Sequence, residues 1–330
     1  MGEQPKTIQM TAEELKTLLA DVLSKAQNPE WQNAMSIEAQ KKVDNPNITI
    51  PSTDEKQIKT LKAIKTGTFL DTKFLGQDDK PIGGIPIGSN SILTGLPNSG
   101  KSIIFEEIVL RLANEGRKTA YVLSEEIYRT ETERYDAESR LREKAKIMKL
   151  DWAKIAQNLF VLDTVAHAEL REWENFTSTY RSLVEDKKIE IVLIDSMTLL
   201  EDVRGQIKYR VLDLMRYNQL HGITSLLINQ RAIEESDSLA MAGGIGLSHI
   251  VDIVFILDYK KISSWDSQIK MDTGARQGEV LNFFRILKCR LCKFDAHYFN
   301  YAITKDGFVV EMPKIAVEEK PEKRKEKTLA

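Results

Sequence analysis

The chain has 330 residues, 42% of them hydrophobic and 29% charged, which suits one generous globular domain with appendages rather than two equal domains. Its 47 basic and 49 acidic residues leave a formal net charge of -2, so no global field draws it toward nucleic acid or a membrane surface. The opening MGEQPKTIQM has neither an apolar signal core nor an Arg-rich transit pattern, and no apolar run approaches the roughly 20 residues of a membrane span. The expectation is a cytoplasmic protein with no membrane partner.

Residues 11 to 27 read as an amphipathic helix. Thr11 and Glu14 form a capping box, and Leu15, Leu18, Leu19, Val22 and Leu23 make an apolar stripe that calls for a protein partner surface. From Asn28 to about Thr60 the sequence is punctuated by Pro, Asn and Asp and reads as a linker arm. The expected division is therefore an N-terminal helix and arm over 1–60, a core domain over 61–313, and a charged, disordered tail over 314–330.

Within the core, short apolar runs alternate with helical patterns: SILTG then IIFEEIVLRLANEG, KTAYVLSEE then a charged helix from Glu131 to Met148. NLFVLD, a helix through Arg181 to Asp186, IEIVLIDS, a helix from Tyr209 to His221 and ITSLLINQ follow. Strands this apolar are buried on both faces, as in a parallel sheet covered by helices. After Gln230, IVDIVFILDY, VLNFFRILKCRL, HYFNYAIT and GFVVEM succeed one another without long helices. The expected fold class is α/β, a mostly parallel sheet flanked by helices with an antiparallel C-terminal extension.

Gly95, Leu96, Pro97, Asn98, Ser99, Gly100, Lys101 and Ser102 satisfy G-x-x-x-x-G-K-[ST], between a predicted strand and a predicted helix. In such a loop backbone N–H groups and the helix N-terminus converge on phosphates, the lysine reaches the β/γ oxygens, and the serine hydroxyl ligates Mg²⁺. ATP and Mg²⁺ are the expected cofactors. Asn98 stands where related loops carry Gly, a mild departure because Asn tolerates positive φ. Asp195, ending the apolar strand IEIVLID, is the second candidate for the Mg²⁺ shell; an apolar strand ending in Asp is common, and its place after the P-loop gives it weight.

No N-K-x-D follows the P-loop and no LSGGQ is present, which disfavours G proteins and ABC transporters. Instead TGTFLD (66–71), GGIPIGSNSILTG (83–95), YVLSEE (121–126), LLINQ (226–230), GGIGLSHIVDIVFILDY (243–259) and RILKCRL (285–291) occur in an order that resembles the RecA superfamily, in its KaiC/RadA-like branch. An insertion, KFLGQDDKP, separates the first two pieces. The resemblance covers roughly residues 66 to 312 and implies a RecA-like core. It places Glu125 and Glu126 as the pair that orients the attacking water; the other reading is that they only open a charged helix. It nominates Gln230, less firmly Asn229, as a γ-phosphate sensor, against a strand-end amide capping a turn. His249 is left as a packing residue. Lys288 and Arg290, taken to alternate onto one strand face, correspond to a K-x-R pair that reaches the neighbouring subunit's nucleotide; the alternative is a solvated basic edge strand.

The resemblance implies an ATP hydrolase working at a homo-oligomer interface, ring or filament. One alternative is a DNA repair or recombination ATPase on single-stranded DNA; another is a low-turnover nucleotide-gated scaffold. Arg204, Lys208 and Arg210, near a flexible Gly205, suit phosphate contact. The loop RAIEESDSLAMAGG is acidic and lacks an aromatic for stacking, which counts against a strand-exchange recombinase. Cys289 and Cys292 are the only cysteines, too few for a disulfide framework or a complete zinc site, and read as strand residues rather than a redox pair.

Overall fold

The six residues of Asn90–Gly95 are all buried in a strand with neighbours on both sides, as the apolar run requires. They lie in a computed structural model that describes residues 13, 59–200, 207–230, 245–266, 275–304 and 309–312. The chain divides into two units, Met1–Thr60 and Leu61–Ala330. The predicted N-terminal helix and arm fall outside the described residues save Glu13, which is helical and exposed, and residues 59 and 60. The tail, residues 201–206 and the acidic loop 231–244 also fall outside them.

In chain order the second unit contains β1 (Ala63–Ile64), β2 (Phe74–Leu75), β3 (Ile85–Pro86), β4 (Asn90–Gly95), α1 (Lys101–Asn114) and β5 (Thr119–Leu123). Next come α2 (Ala137–Ile147), α3 (Trp152–Asn158), β6 (Leu159–Asp163), α4 (Trp173–Lys187), β7 (Ile191–Asp195), α5 (Lys208–His221) and β8 (Thr224–Gln230). The last elements are α6 (Ile245–Ile250), β9 (Ile253–Lys261), β10 (Val280–Cys289), β11 (Lys293–Phe294), β12 (Phe299–Ile303) and β13 (Val309–Glu311).

The described residues form a nine-stranded sheet ordered β13-β12-β10-β9-β4-β8-β7-β5-β6. From β9 to β6 every pairing is parallel, while β10, β12 and β13 extend the sheet antiparallel. This is the α/β fold expected from the sequence. Successive strand residues face opposite sides of a sheet, so each strand feeds two cores. Leu93, Tyr121, Leu123 and Phe255 pack with Phe105 and Ile108 of α1 and Leu141 of α2. Ile92, Ala120, Val122 and Val254 pack on the other side with Tyr180 of α4 and Val211 and Leu214 of α5.

The helices differ from the sequence reading at one start and by one addition, and α4 begins at Trp173, well before Arg181. The charged helix starts at Ala137, not Glu131, because Asp136 caps it: its carboxylate accepts from the amides of Ser139 (2.9 Å) and Thr130 (3.0 Å). A short helix, α3, occupies 152–158, where Asp151 caps by accepting from Ala153 N. The inserted KFLGQDDKP supplies β2, which pairs with β11. Among the described residues no helix is long and apolar enough to cross a membrane.

Candidate functional site

The loop from Gly95 to Ser102 links the end of β4 to the start of α1. Gly95 permits close packing, since a Cβ there would lie 2.8 Å from the Leu257 carbonyl oxygen and 2.9 Å from Ser99 Oγ. Gly100, at φ 88, turns the chain into the helix, and Asn98 sits at φ 63, the positive φ that Asn accommodates. Tyr301 of β12 donates its hydroxyl to the Ser99 carbonyl at 2.6 Å, and burial pushes its pKa up, which keeps it a donor. The antiparallel extension thus props the loop.

Lys101 is buried, and its Nζ donates to the carbonyls of Gly95 (3.0 Å) and Leu96 (2.8 Å). Desolvation lowers its pKa, while the nearby Asp195 and Glu125 carboxylates oppose that shift. The Ser102 hydroxyl hydrogen-bonds Asp195. Burial raises the Asp195 carboxyl to about 6 despite that bond, helped by the negative charges of Glu106, Glu125 and Glu126.

β5 and β7 are neighbours, and Leu123 is in register with Asp195. The residues that follow each strand therefore meet. Ser196 Oγ donates to Glu125 Oε1 at 2.5 Å, and Gln230, ending β8, donates Nε2 to the same oxygen at 2.8 Å. Glu126 is held elsewhere, its carboxylate gripped by both terminal nitrogens of Arg140, one bond being 2.6 Å. Arg140 also reaches Glu106 Oε1 at 2.6 Å, and Glu106 accepts from the buried Tyr121 hydroxyl at 3.1 Å. Pro97, Asn98, Gly100, Lys101, Ser102, Glu125, Asp195 and Gln230 line one cavity of about 400 Å³. Glu126 does not line it.

Comparison with known proteins agrees with this layout. Residues 64–315 match the family described as "ATPase: KaiC". The chain belongs to the KaiC ATPase family. Among curated relatives, the UPF0273 protein MK0039 of Methanopyrus kandleri is 26% identical over 267 residues, spanning 77% of this chain and 96% of that protein. The DNA repair protein RadA of Campylobacter jejuni is 26% identical over 176 residues, 53% of this chain but only 35% of RadA. Among solved structures, the KaiC-like protein PH0186 of Pyrococcus horikoshii shares the fold with a TM-score of 0.56 and 21% identity, covering 77% of this chain and all (100%) of that one.

Within this KaiC-family chain, Lys288 and Arg290 lie away from the P-loop. Lys288 pairs with Val254, which is level with Ile92 of β4, whereas Gly95 is level with Leu257. Three residues of strand separate those levels, roughly 10 Å. Both head groups cap the C-terminus of α6: Lys288 Nζ donates to the carbonyls of Ser248 (2.5 Å) and Val251 (2.7 Å), and Arg290 to those of Ile250 and His249. The expected alternation on one strand face stops short, because a bulge falls between Ile286 and Lys288 and β10 ends at Cys289. Arg290 sits in the turn beyond. Cys292 likewise lies past the strand.

Sequence reading missed Glu106, Tyr121, Arg140, Ser196 and Tyr301. Glu106 left one trace, an acid one helical turn after Ser102 in a mostly apolar helix, though Glu107 beside it shares that pattern. Arg140 left none, being one cation among many in a charged stretch. A second hollow of about 770 Å³ lies beside β6, lined by Tyr128, Arg129, Asp163 and His167 among others. Of the two carboxylates that line it, Asp163 is taken up by the amides of Tyr128, Val165 and Ala166 and Glu169 is exposed, and residues 95–102 are not among its lining.

Proposed function

We propose that this KaiC-family chain is a Mg²⁺-dependent ATP hydrolase whose site is completed by a second copy of itself. The observation that carries the reading is the convergence of Lys101, Ser102, Asp195, Glu125 and Gln230 on one cavity at the carboxyl ends of parallel strands, where α/β sheets bind ligands. The residues fit a nucleotide triphosphate. Among the described residues the buried Ser99 Oγ finds no hydrogen-bond partner, and the first turn of α1 carries no acid to oppose an anion. Among the described residues no group of three or more His, Cys, Asp or Glu could hold a metal, whereas Mg²⁺ at a nucleotide needs only one or two protein oxygens, here Ser102 and Asp195.

Bound Mg²⁺ would neutralise charge developing on the phosphoryl oxygens. Lys101 would leave its loop carbonyls for the β/γ oxygens. Glu125, oriented by Ser196 and Gln230, is the acceptor for the proton of the attacking water, and Gln230 joins that acceptor to the end of β8. Glu126 is a supporting carboxylate fixed by Arg140. The distance of Lys288 and Arg290 from their own P-loop leaves a neighbouring subunit's nucleotide as their phosphate target, which is the support for a homo-oligomer. Phosphate release from Mg²⁺-ATP by wild type and Lys101→Ala tests the hydrolase: turnover by wild type and loss in the variant is expected, and equal rates would remove the P-loop from the mechanism. Tight nucleotide binding without release would instead support the low-turnover scaffold.

One observation favours a second reading, single-stranded DNA binding. Tyr209 is 71% exposed at the start of α5, between Lys208 and Arg210, offering a stacking face beside cations. Anisotropy titrations of labelled single-stranded DNA at two salt concentrations, with and without ATP, decide it; no ATP-dependent binding at low salt would discard this reading.

A further inference from the structure

The two cysteines are folded toward each other. β10 ends at Cys289, the chain turns through Arg290 and Leu291, and Cys292 immediately precedes β11. The ladders fix both ends of this turn, Cys289 opposite Ile253 of β9 and Lys293 opposite Leu75 of β2. The Sγ atoms stand 3.6 Å apart, and both residues are half-buried. Both side chains pack against the core cluster under α1, so part of their role is to fill space.

Space filling does not account for the polar surroundings of Cys289. Its sulfur receives hydrogen bonds from the Cys292 thiol and from the backbone amides of Leu291 and Cys292. Donors aimed at a sulfur favour its thiolate. The Cys292 thiol, then the amides, bring Cys289 down to about 7 against the desolvation of its site and the charge of Asp252. Donating that hydrogen bond and partly buried, Cys292 is pushed up. One sulfur is thus set up as a nucleophile and the other waits beside it.

The geometry points to Cys289 and Cys292 as a redox-active dithiol that closes to an intrachain disulfide by exchange with a low-molecular-weight disulfide. The Cys289 thiolate attacks one sulfur of the small disulfide; a mixed disulfide forms, the small S–S bond breaks, and one thiolate leaves and takes a proton from water. Cys292 then loses its proton to water and attacks Cys289 Sγ, expelling the second small thiolate. Two protein thiols are oxidised and one small disulfide is reduced to two thiols. Closure brings the sulfurs from 3.6 Å to about 2.05 Å, a short movement within one turn. Arg290, bonded to the Ile250 and His249 carbonyls, lies inside the ring so formed. None of this depends on the ATP reading.

The test uses the full-length protein in buffers of reduced and oxidised glutathione, quenched by alkylation and weighed by mass spectrometry. Wild type should lose both alkylatable thiols together as a monomer on non-reducing gels and regain them with excess reduced glutathione. Cys292→Ser should stop at a mixed disulfide on Cys289. Cys289→Ser should react at least about tenfold more slowly at neutral pH, since thiolate fraction outweighs the lower nucleophilicity of an acidic thiol. Wild type that stays doubly alkylated while folded, disulfides formed only between chains, or equal trapping by the two variants would each overturn the proposal. The wild-type result stands even if a variant fails to fold.

Discussion

Glu125 and Glu126 are adjacent, yet Ser196 and Gln230 turn the first carboxylate to the cavity while Arg140 ties the second to α2. Their substitutions should separate. Glu125→Gln is expected to lower kcat by about 10²–10⁴, the usual worth of a positioned acid or base, with Mg²⁺-ATP affinity within a few-fold of wild type. Glu126→Gln should cost less than about tenfold in the same steady-state assay, since it contributes support rather than proton acceptance; equal losses would refute the division. Asp195 carries a different prediction. Its folded carboxyl titrates at about 6, above the ordinary 3.8, so the folded chain holds that proton more tightly than the unfolded one. The stability this gives is present below the unfolded value and is lost as pH rises to about 6. Without nucleotide or divalent metal, Asp195→Asn should therefore be more stable than wild type in urea at pH 7, by up to about 2–3 kcal/mol, and nearly equal at pH 4. No gain at pH 7 would mean that Asp195 is better solvated than its burial implies. The P-loop and Asp195 were legible in the sequence because their chemistry is local: a glycine-bounded turn between strand and helix, and an acid ending an apolar run. Arg140 and Tyr301 were not, because only packing brings them to Glu126 and Ser99.

At the scale of elements, the antiparallel extension supports the nucleotide loop rather than simply widening the sheet. Tyr301→Phe removes the donor to the Ser99 carbonyl and should cost about 1 kcal/mol of stability, raising KM for ATP more than it lowers kcat. An unchanged KM would reduce the contact to packing. Lys288 has a structural task inside its own chain. Lys288→Ala leaves the carbonyls of Ser248 and Val251 without their cation and should speed amide exchange around α6, by the equivalent of about 0.5–1 kcal/mol. Alternating apolar runs announced the parallel sheet, since burial on both faces demands such runs. Helix starts were harder to see: Asp136 lies within a charged stretch, and its capping bonds to Ser139 and Thr130 are not visible as periodicity. The bulge at Ile286/Lys288 is likewise invisible in FRILKCRL, as is the end of the strand at Cys289, which leaves Arg290 in a turn.

For the whole molecule, the layout pairs a P-loop at one end of the sheet with two cations at a different level, serving a helix terminus. A KaiC-family chain that hydrolyses ATP alone has no use for Lys288 and Arg290 in phosphate chemistry; one that works between subunits does. The two arrangements differ in a mixing experiment. Lys288→Ala/Arg290→Ala subunits keep their own Glu125 and Glu126, while Glu125→Gln/Glu126→Gln subunits keep their cations. Each variant alone should be inactive although assembled. In an equimolar mixture about a quarter of the interfaces join an intact acid pair to an intact cation pair under random assembly, so phosphate release should recover toward about a quarter of the wild-type rate. No recovery, with mixed oligomers demonstrated and both variants binding Mg²⁺-ATP, would contradict a site shared between subunits.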